Sequence, residues 1–255
     1  MTPALRIAGV SRSFGGVRAT TDVSFDVAPG TVCALVGPNG AGKTTLFNLV
    51  TNLFTPDSGS ISLFGQPLAG LGSAQIAGLG LIRTFQTARV FPGLTVLENV
   101  LVGRHRLLRQ NFWSGLLGLP GTRREERDLV RRAETLLDLV ELLPYRDAHA
   151  VDLPMGAQKL LEVIRALMAQ PRMLLLDEPA AGLNDTETEE LAALLRAIRD
   201  SGITVLVVEH NMSLVMGVAD HIVVLEAGRL IAAGPPAQIQ ADPRVITAYL
   251  GAEAA

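Results

Sequence analysis

The chain has 255 residues, 48% of them hydrophobic, which is enough to bury the core of one large domain or of one domain with a small lobe. Its net charge of −3, from 22 basic and 25 acidic side chains, excludes nucleic-acid binding driven by bulk positive charge. The single cysteine, Cys33, excludes an internal disulfide framework, and the N-terminus has neither the basic flank nor the apolar segment of a signal peptide.

The first part of the chain predicts short strands and one helix. A helix is expected after Gly42, where a glycine-rich stretch ends. The expected strands are Leu5–Val10, Val23–Val27, Val32–Val36 and Ile61–Phe64. These early strands suggest an antiparallel lobe beside the main sheet.

The middle of the chain is predicted to be helical. Apolar residues recur on one side of a helix over about Arg124–Leu143. A second helix starts near Pro154, which suits a helix start, and Pro171 ends it. Gly156 in its first turn has no side chain to cover the backbone N–H groups of this helix end, which raises the question of which group accepts their hydrogen bonds.

The last third alternates buried strands with helices. "MLLLDEP" and "ITVLVVEH" are continuous apolar runs, typical of strands that are buried on both faces of a parallel sheet. Thr186–Asp200 is predicted to be helical, and a hairpin is expected around Glu226–Gly228. This order predicts an α/β fold with a parallel core sheet and right-handed crossovers.

A glycine-rich motif follows the third predicted strand. "GPNGAGKTT" matches G-x-x-x-x-G-K-[ST] between a strand and a helix, the context of a phosphate-binding loop rather than of an ordinary turn. Successive N–H groups would face an anion, with Lys43 on the β- and γ-phosphates and the Thr44 hydroxyl on Mg²⁺. The candidate nucleotide-binding residues are Gly37, Pro38, Asn39, Gly40, Ala41, Gly42, Lys43, Thr44 and Thr45.

Two adjacent carboxylates end the strand in "MLLLDEP". Asp177 would lie at the carboxyl end of a buried parallel strand, where ligands gather, and would hold Mg²⁺. Glu178 points differently and could activate a water as a general base against the γ-phosphate. The alternative, a capping Asp-Glu pair in a loop, is less favoured beside a phosphate loop.

Together these motifs resemble the ATP-binding subunits of ABC transporters, over about Leu5–Gly251. The resemblance implies a P-loop ATPase fold with a parallel core sheet, an antiparallel β lobe and a helical subdomain. It implies one domain over 1–255, with the helical subdomain at about 87–165 and a C-terminal tail at 235–255. The implied cofactors are ATP and Mg²⁺.

The resemblance also gives roles to four further positions. Phe14 would stack on adenine, although a core aromatic is the alternative. Gln86, in "RTFQ", would contact Mg²⁺ and the attacking water and report to the membrane partner. His210 would contact the γ-phosphate, and Ala180–Asp185 would meet the facing subunit.

The helix start near Pro154 corresponds to the signature of that family, usually Leu-Ser-Gly-Gly-Gln. It would offer backbone amides to the γ-phosphate held by the facing subunit. "LPMGAQ" replaces that pattern here, so the serine hydroxyl is lost and one ATP site of an unequal dimer would be weaker. The candidate residues are Leu153, Pro154, Met155, Gly156, Ala157 and Gln158.

Within this family, "RTFQTARVFPGLTVLENVLVG", "LDEPAAGLND" and the C-terminal stretch from Val208 are similar to the ATPases of high-affinity branched-chain amino acid importers, the Liv G type. This similarity implies two membrane permeases, a second non-identical ABC ATPase in a heterodimer, with a homodimer as the alternative, and indirectly a periplasmic or extracellular binding protein. It places the chain peripherally on the cytoplasmic face of the plasma membrane, without a nucleic-acid partner.

Several alternatives stay open at this stage. Urea or amide importers, exporters, soluble ABC ATPases and a regulatory subunit without hydrolysis have similar cassettes. The apolar side chains within Phe85–Gly103 could be core or a permease-docking patch. Asn111–Pro120, with Trp113, could be a packed loop or a contact surface.

Overall fold

A computed structural model describes residues 2–84, 90–104 and 120–253. The predicted site residue Gln86 and the residues around Trp113 lie outside the described residues. The chain forms two compact units. The first unit comprises Met1–Arg83, Arg172–Ala181 and Leu195–Ala255, and the second comprises Thr84–Pro171 and Gly182–Leu194.

The described strands all lie in the first unit. They are β1 (Leu5–Phe14), β2 (Val17–Val27), β3 (Val32–Val36), β4 (Ser58–Leu63), β5 (Gln66–Pro67), β6 (Leu81–Arg83), β7 (Met173–Asp177), β8 (Thr204–Val208), β9 (His221–Glu226) and β10 (Arg229–Gly234). The strands β3, β7 and β8 are buried along their whole length, as their continuous apolar sequences predict.

Two sheets result from this strand set. One has the order β2–β1–β4–β5 and is antiparallel, which confirms the expected lobe. The other has the order β10–β9–β3–β8–β7–β6; β9 to β6 are parallel, and β10 pairs with β9 as the predicted hairpin. The carboxyl ends of β3, β7 and β8 therefore meet at one edge of the sheet.

The described helices include one for each of the four predicted helical segments, together with five that the sequence analysis did not predict. They are α1 (Lys43–Val50), α2 (Ser73–Gly78), α3 (Val96–Val102), α4 (Pro120–Leu139), α5 (Met155–Met168), α6 (Asp185–Asp200), α7 (Met212–Val218), α8 (Pro236–Gln240) and α9 (Pro243–Glu253). None of the described helices is both long and apolar enough to cross a membrane.

The helix α4 ends at Leu139, so the prediction that it continues to Leu143 was wrong. Glu141 adopts a left-handed backbone with φ 58°, and the Leu142 N–H donates to the Leu137 carbonyl at 2.8 Å. These features close a helix, and a 3₁₀ turn at Leu143–Tyr145 follows. Apolar periodicity continued past this point because Leu142 still packs into the interior.

Candidate functional site

The phosphate loop connects β3 to α1 in the first unit. Gly42 is the N-cap of α1 with φ 98°, and Gly37 directly follows β3. A Cβ at Gly37 would overlap the Leu225 carbonyl oxygen, and one at Gly42 would overlap the Ala19 carbonyl oxygen. Glycine is therefore required at both positions, because the loop packs directly against neighbouring backbone.

Lys43 lies inside this loop. Its ammonium donates to the Gly37 carbonyl at 2.7 Å and to the Pro38 carbonyl at 3.0 Å. Burial lowers the pKa of Lys43, while the negative charges of Glu178 and Asp177 act to raise it. The ammonium is thus stabilised by carbonyl oxygens and by two carboxylates of the strand β7 region.

Asp177 ends β7 with only 5% of its surface exposed, and Arg83 holds it in place. The Arg83 Nη2 donates to Asp177 Oδ2 at 2.8 Å, and Nη1 donates to Asn48 Oδ1 at 2.7 Å. The guanidinium also lies 5.5 Å from the centre of the Phe47 ring. The sequence analysis did not identify Arg83 as a site residue. The available signal was a basic residue at the end of an apolar strand.

Glu178 and His210 come together at the carboxyl ends of β7 and β8. The distance from His210 Nε2 to Glu178 Oε1 is 2.9 Å. Glu178 has a left-handed backbone with φ 50°, and its N–H donates to the Val208 carbonyl at 2.9 Å. Such a backbone costs on the order of 1–3 kcal/mol at a non-glycine residue and is typical of functional sites. The structure therefore pairs two residues that the sequence placed 32 positions apart.

Glu209 is a second residue that sequence analysis missed. It is 2% exposed, and its Oε1 accepts the Ala180 N–H at 2.6 Å. Its Oε2 accepts the N–H groups of His210 at 3.0 Å and Asn211 at 3.2 Å. One buried carboxylate thus joins the segment after β7 to the segment after β8. The available signal was an acidic residue directly after a predicted buried strand.

The C-terminal helix α9 also reaches this region. The Tyr249 hydroxyl lies 3.9 Å from Met212 Sδ, which follows the His210 segment. Burial raises the pKa of Tyr249, and the facing Gly37 backbone N–H acts to lower it. The segment predicted only as a tail therefore contributes a contact with the start of α7, which follows the His210 segment.

Phe14, the predicted adenine-stacking residue, lies on the surface at the end of β1. Its ring is 38% exposed and packs edge-to-face with Phe54 at 5.1 Å between ring centroids. The Arg12 guanidinium lies 4.9 Å from the Phe14 ring centre. Adenine stacking at Phe14 stays a prediction.

In the second unit, the predicted signature residues Leu153–Gln158 include the first turn of α5, with Pro154 as its N-cap. Met155 is 60% exposed, while the Gln158 side chain turns back and donates to the Leu153 carbonyl at 2.8 Å. Gly156 is buried, and a Cβ there would overlap the Glu187 carboxylate. The glycine in the first turn therefore also makes room for Glu187, which closes a capping box with Asn184 at the start of α6.

The apolar side chains around α3 divide between core and surface. Val96 and Leu97 are buried, and the described Val90 and Leu94 are partly buried. Phe91 is 43% exposed, and the Arg165 guanidinium lies 5.1 Å from its ring centre. Burial lowers the pKa of Arg165, with Glu162 acting to raise it. Among the described residues of the set considered for docking, Phe91 is thus the exposed one.

Two family models match the sequence. One, described as "ABC transporter", matches residues 20–181. The other, described as "Branched-chain amino acid ATP-binding cassette transporter", matches residues 229–255, which include β10 and the C-terminal helices α8 and α9.

Curated relatives match along nearly the whole chain. The chain is 45% identical over 250 residues to BraF of Pseudomonas aeruginosa, named a high-affinity branched-chain amino acid transport ATP-binding protein, with 98% of both chains covered. It is 44% identical to LivG of Escherichia coli K12, which carries the same description, again over 98% of both. A probable LivG of Archaeoglobus fulgidus is 33% identical, with 98% and 96% covered.

Solved structures of ATP-binding cassettes also match the chain along nearly its whole length. A nucleotide-free ATP-binding cassette from an ABC transporter superposes with a TM-score of 0.83 at 31% identity, covering 97% of this chain and 98% of the other. An ATP-binding cassette in its ADP conformation superposes with a TM-score of 0.83 at 30% identity, covering 98% and 100%.

Proposed function

Because this chain belongs to the ABC transporter family, we propose that it is the ATP-binding and ATP-hydrolysing subunit of an importer for branched-chain amino acids. The observation that carries the proposal is the 44–45% identity, over 98% of the chain, to branched-chain amino acid transport ATP-binding proteins. The C-terminal match at residues 229–255 supports the same substrate class. The substrate class rests on this similarity.

ATP would bind along the phosphate loop. Lys43 is held by the Gly37 and Pro38 carbonyls and is placed to exchange them for phosphate oxygens. The backbone from Gly37 to Thr45 would supply N–H donors, with Phe14 on the adenine. The signature segment Leu153–Gln158 would offer its helix N-terminus to the nucleotide of the facing subunit.

The residues near the phosphate loop fit Mg²⁺. The exposed Thr44 and the carboxylate of Asp177 supply the hard oxygen donors that this ion prefers, in the small number that leaves room for phosphate oxygens. When bound, Mg²⁺ neutralises charge on the transferring phosphoryl group. Gln86, which lies outside the described residues, would be a further ligand.

In this proposal hydrolysis depends on the Glu178–His210 pair. Glu178 takes the proton of the attacking water, and His210 stabilises the γ-phosphate while holding the Glu178 carboxylate at 2.9 Å. The left-handed backbone of Glu178 is fixed by its hydrogen bond to Val208, so the carboxylate has a defined direction. Gln86 would steady the attacking water.

The subunit works with membrane permeases and as an ATPase dimer, as the family implies, and it associates peripherally with the membrane. We further propose two different permeases, a second non-identical ATPase, an external binding protein and a location on the cytoplasmic face. Two ATP molecules would be held between the phosphate loop of one ATPase and the signature of the other. Closure of that dimer would move the permeases.

Capture of the assembled complex tests this function. Tagged Glu178→Gln protein, trapped with ATP in native membranes, should co-purify with two permeases and a second ATPase that mass spectrometry identifies. The wild-type complex should then hydrolyse ATP faster when the binding protein is loaded with leucine, isoleucine or valine. Stimulation by urea or short amides instead would overturn the substrate class, and recovery of a soluble homodimer alone would overturn the transporter assignment.

Restoring the usual signature tests the unequal-site hypothesis. The double change Pro154→Ser and Met155→Gly returns a hydroxyl and a glycine to the start of α5. A hydrogen bond to a charged group is worth about 1.5–3 kcal/mol, so we expect turnover in the assembled complex to rise by about tenfold. Pro154→Ala, which removes the ring without adding a hydroxyl, is the control, and an unchanged turnover in the double variant would contradict the hypothesis.

A further inference from the structure

Glu209 lies at the site, but the proposed mechanism gives it no role. It directly follows β8 and directly precedes His210, yet its side chain points into the interior, with 2% of its surface exposed. A carboxyl group in such a place needs hydrogen bonds to compensate its lost hydration.

Main-chain donors supply that compensation. Among the described residues, the hydrogen bonds to this carboxylate come from the N–H groups of Ala180, His210 and Asn211, at 2.6, 3.0 and 3.2 Å. Oε1 accepts the donor from the segment after β7, and Oε2 accepts both donors from the segment after β8. The carboxylate therefore bridges two loops whose strands already run side by side.

Each of these two loops carries one member of the hydrolytic pair. Glu178 lies two residues before Ala180, and His210 is itself one of the donors. The distance of 2.9 Å between their side chains depends on how the two loops are placed relative to each other. The strands fix this placement as far as Asp177 and Val208, which are register partners, and Glu209 extends it beyond the strand ends.

We infer that Glu209 is a positioning residue for hydrolysis, which holds the His210 loop against the Glu178 loop through three main-chain hydrogen bonds. The role requires a carboxylate. A glutamine has the same shape, but in either orientation its amide NH₂ would face at least one of the three N–H donors. This inference rests on the proposed roles of Glu178 and His210.

The test measures kcat and ATP affinity of variants in the assembled complex. We expect Glu209→Gln to lower kcat by about tenfold to a hundredfold, the cost of misplacing reacting groups, with ATP affinity within about twofold of wild type. Asp220→Asn is the matched control, because Asp220 also accepts a main-chain N–H, that of Val32 at 2.8 Å, but at the opposite end of the sheet. We expect this control to keep its kcat.

A double-variant comparison separates positioning from a general effect on folding. If Glu209 acts through His210, the variant that combines Glu209→Gln with His210→Ala should be no slower than His210→Ala alone. The role of Glu209 would be overturned if the double variant lost kcat by the product of the two single losses. It would also be overturned if Glu209→Gln kept its kcat within twofold of wild type while His210→Ala was impaired. Normal turnover of His210→Ala would instead overturn the proposed hydrolytic pair.

Glu209→Asp tests the role of Glu209 if the Glu209→Gln variant does not assemble into the complex. It keeps the charge but shortens the reach by one methylene, so we expect a smaller loss of kcat at unchanged ATP affinity. A parallel loss of ATP affinity would mean that the whole site has collapsed and would overturn the inference.

Discussion

Replacing Glu178 with glutamine is expected to lower ATP turnover by about 10²–10⁴-fold, the usual contribution of a general base. ATP binding should stay within about twofold of wild type, because glutamine keeps the shape of the side chain and the phosphate loop is unchanged. The Glu178 N–H keeps its hydrogen bond to Val208, and the left-handed backbone is equally strained in both forms. Phosphate release under saturating ATP and a direct binding titration measure the two effects.

The matched control for this experiment is Asp26→Asn. It neutralises a carboxylate in an exposed ion pair with Arg6, in the antiparallel sheet, and should leave turnover unchanged. Near-normal hydrolysis by Glu178→Gln would show that another group accepts the proton of the attacking water. The mechanism would then have to be rebuilt around that group.

Replacing Lys43 with alanine is expected to weaken ATP binding by about a hundredfold or more. The ammonium has two acceptors in the loop, and hydrogen bonds to a charged group are worth about 1.5–3 kcal/mol each. The variant also leaves the Gly37 and Pro38 carbonyls without their donor, which disfavours the loop conformation. Titration with ATP in a Glu178→Gln background measures affinity without hydrolysis.

Arg229→Ala is the control for the charge that Lys43→Ala removes. Arg229 is exposed on β10, at the edge of the same sheet, so its loss changes the net charge by the same amount and leaves every residue of the loop in place. If Lys43→Ala bound ATP as tightly as this control, the ammonium would not contact the phosphates. The proposed ATP site would then lack its main positively charged contact with the phosphates.

The sequence by itself determined the elements that depend on local chemistry. Val32–Val36 was predicted with its observed bounds, because a continuous apolar run between turn residues specifies a buried strand. The start of α1 after Gly42 follows from the glycine pattern of the loop, and the hairpin at Glu226–Gly228 from its turn. The resemblance that these motifs support predicted the family, which the comparisons confirm.

Only the tertiary structure decided which side chains support those motifs. Arg83 meets Asp177 across 94 residues, and Glu209 meets Ala180 across 29, because the crossovers of a parallel sheet bring distant strand ends to one edge. Gly156 on α5 faces Glu187 on α6 within the second unit, where the packing of two helices brings them together. Hydrophobic periodicity along the chain indicates whether a residue is buried, but it does not indicate which distant residue contacts it.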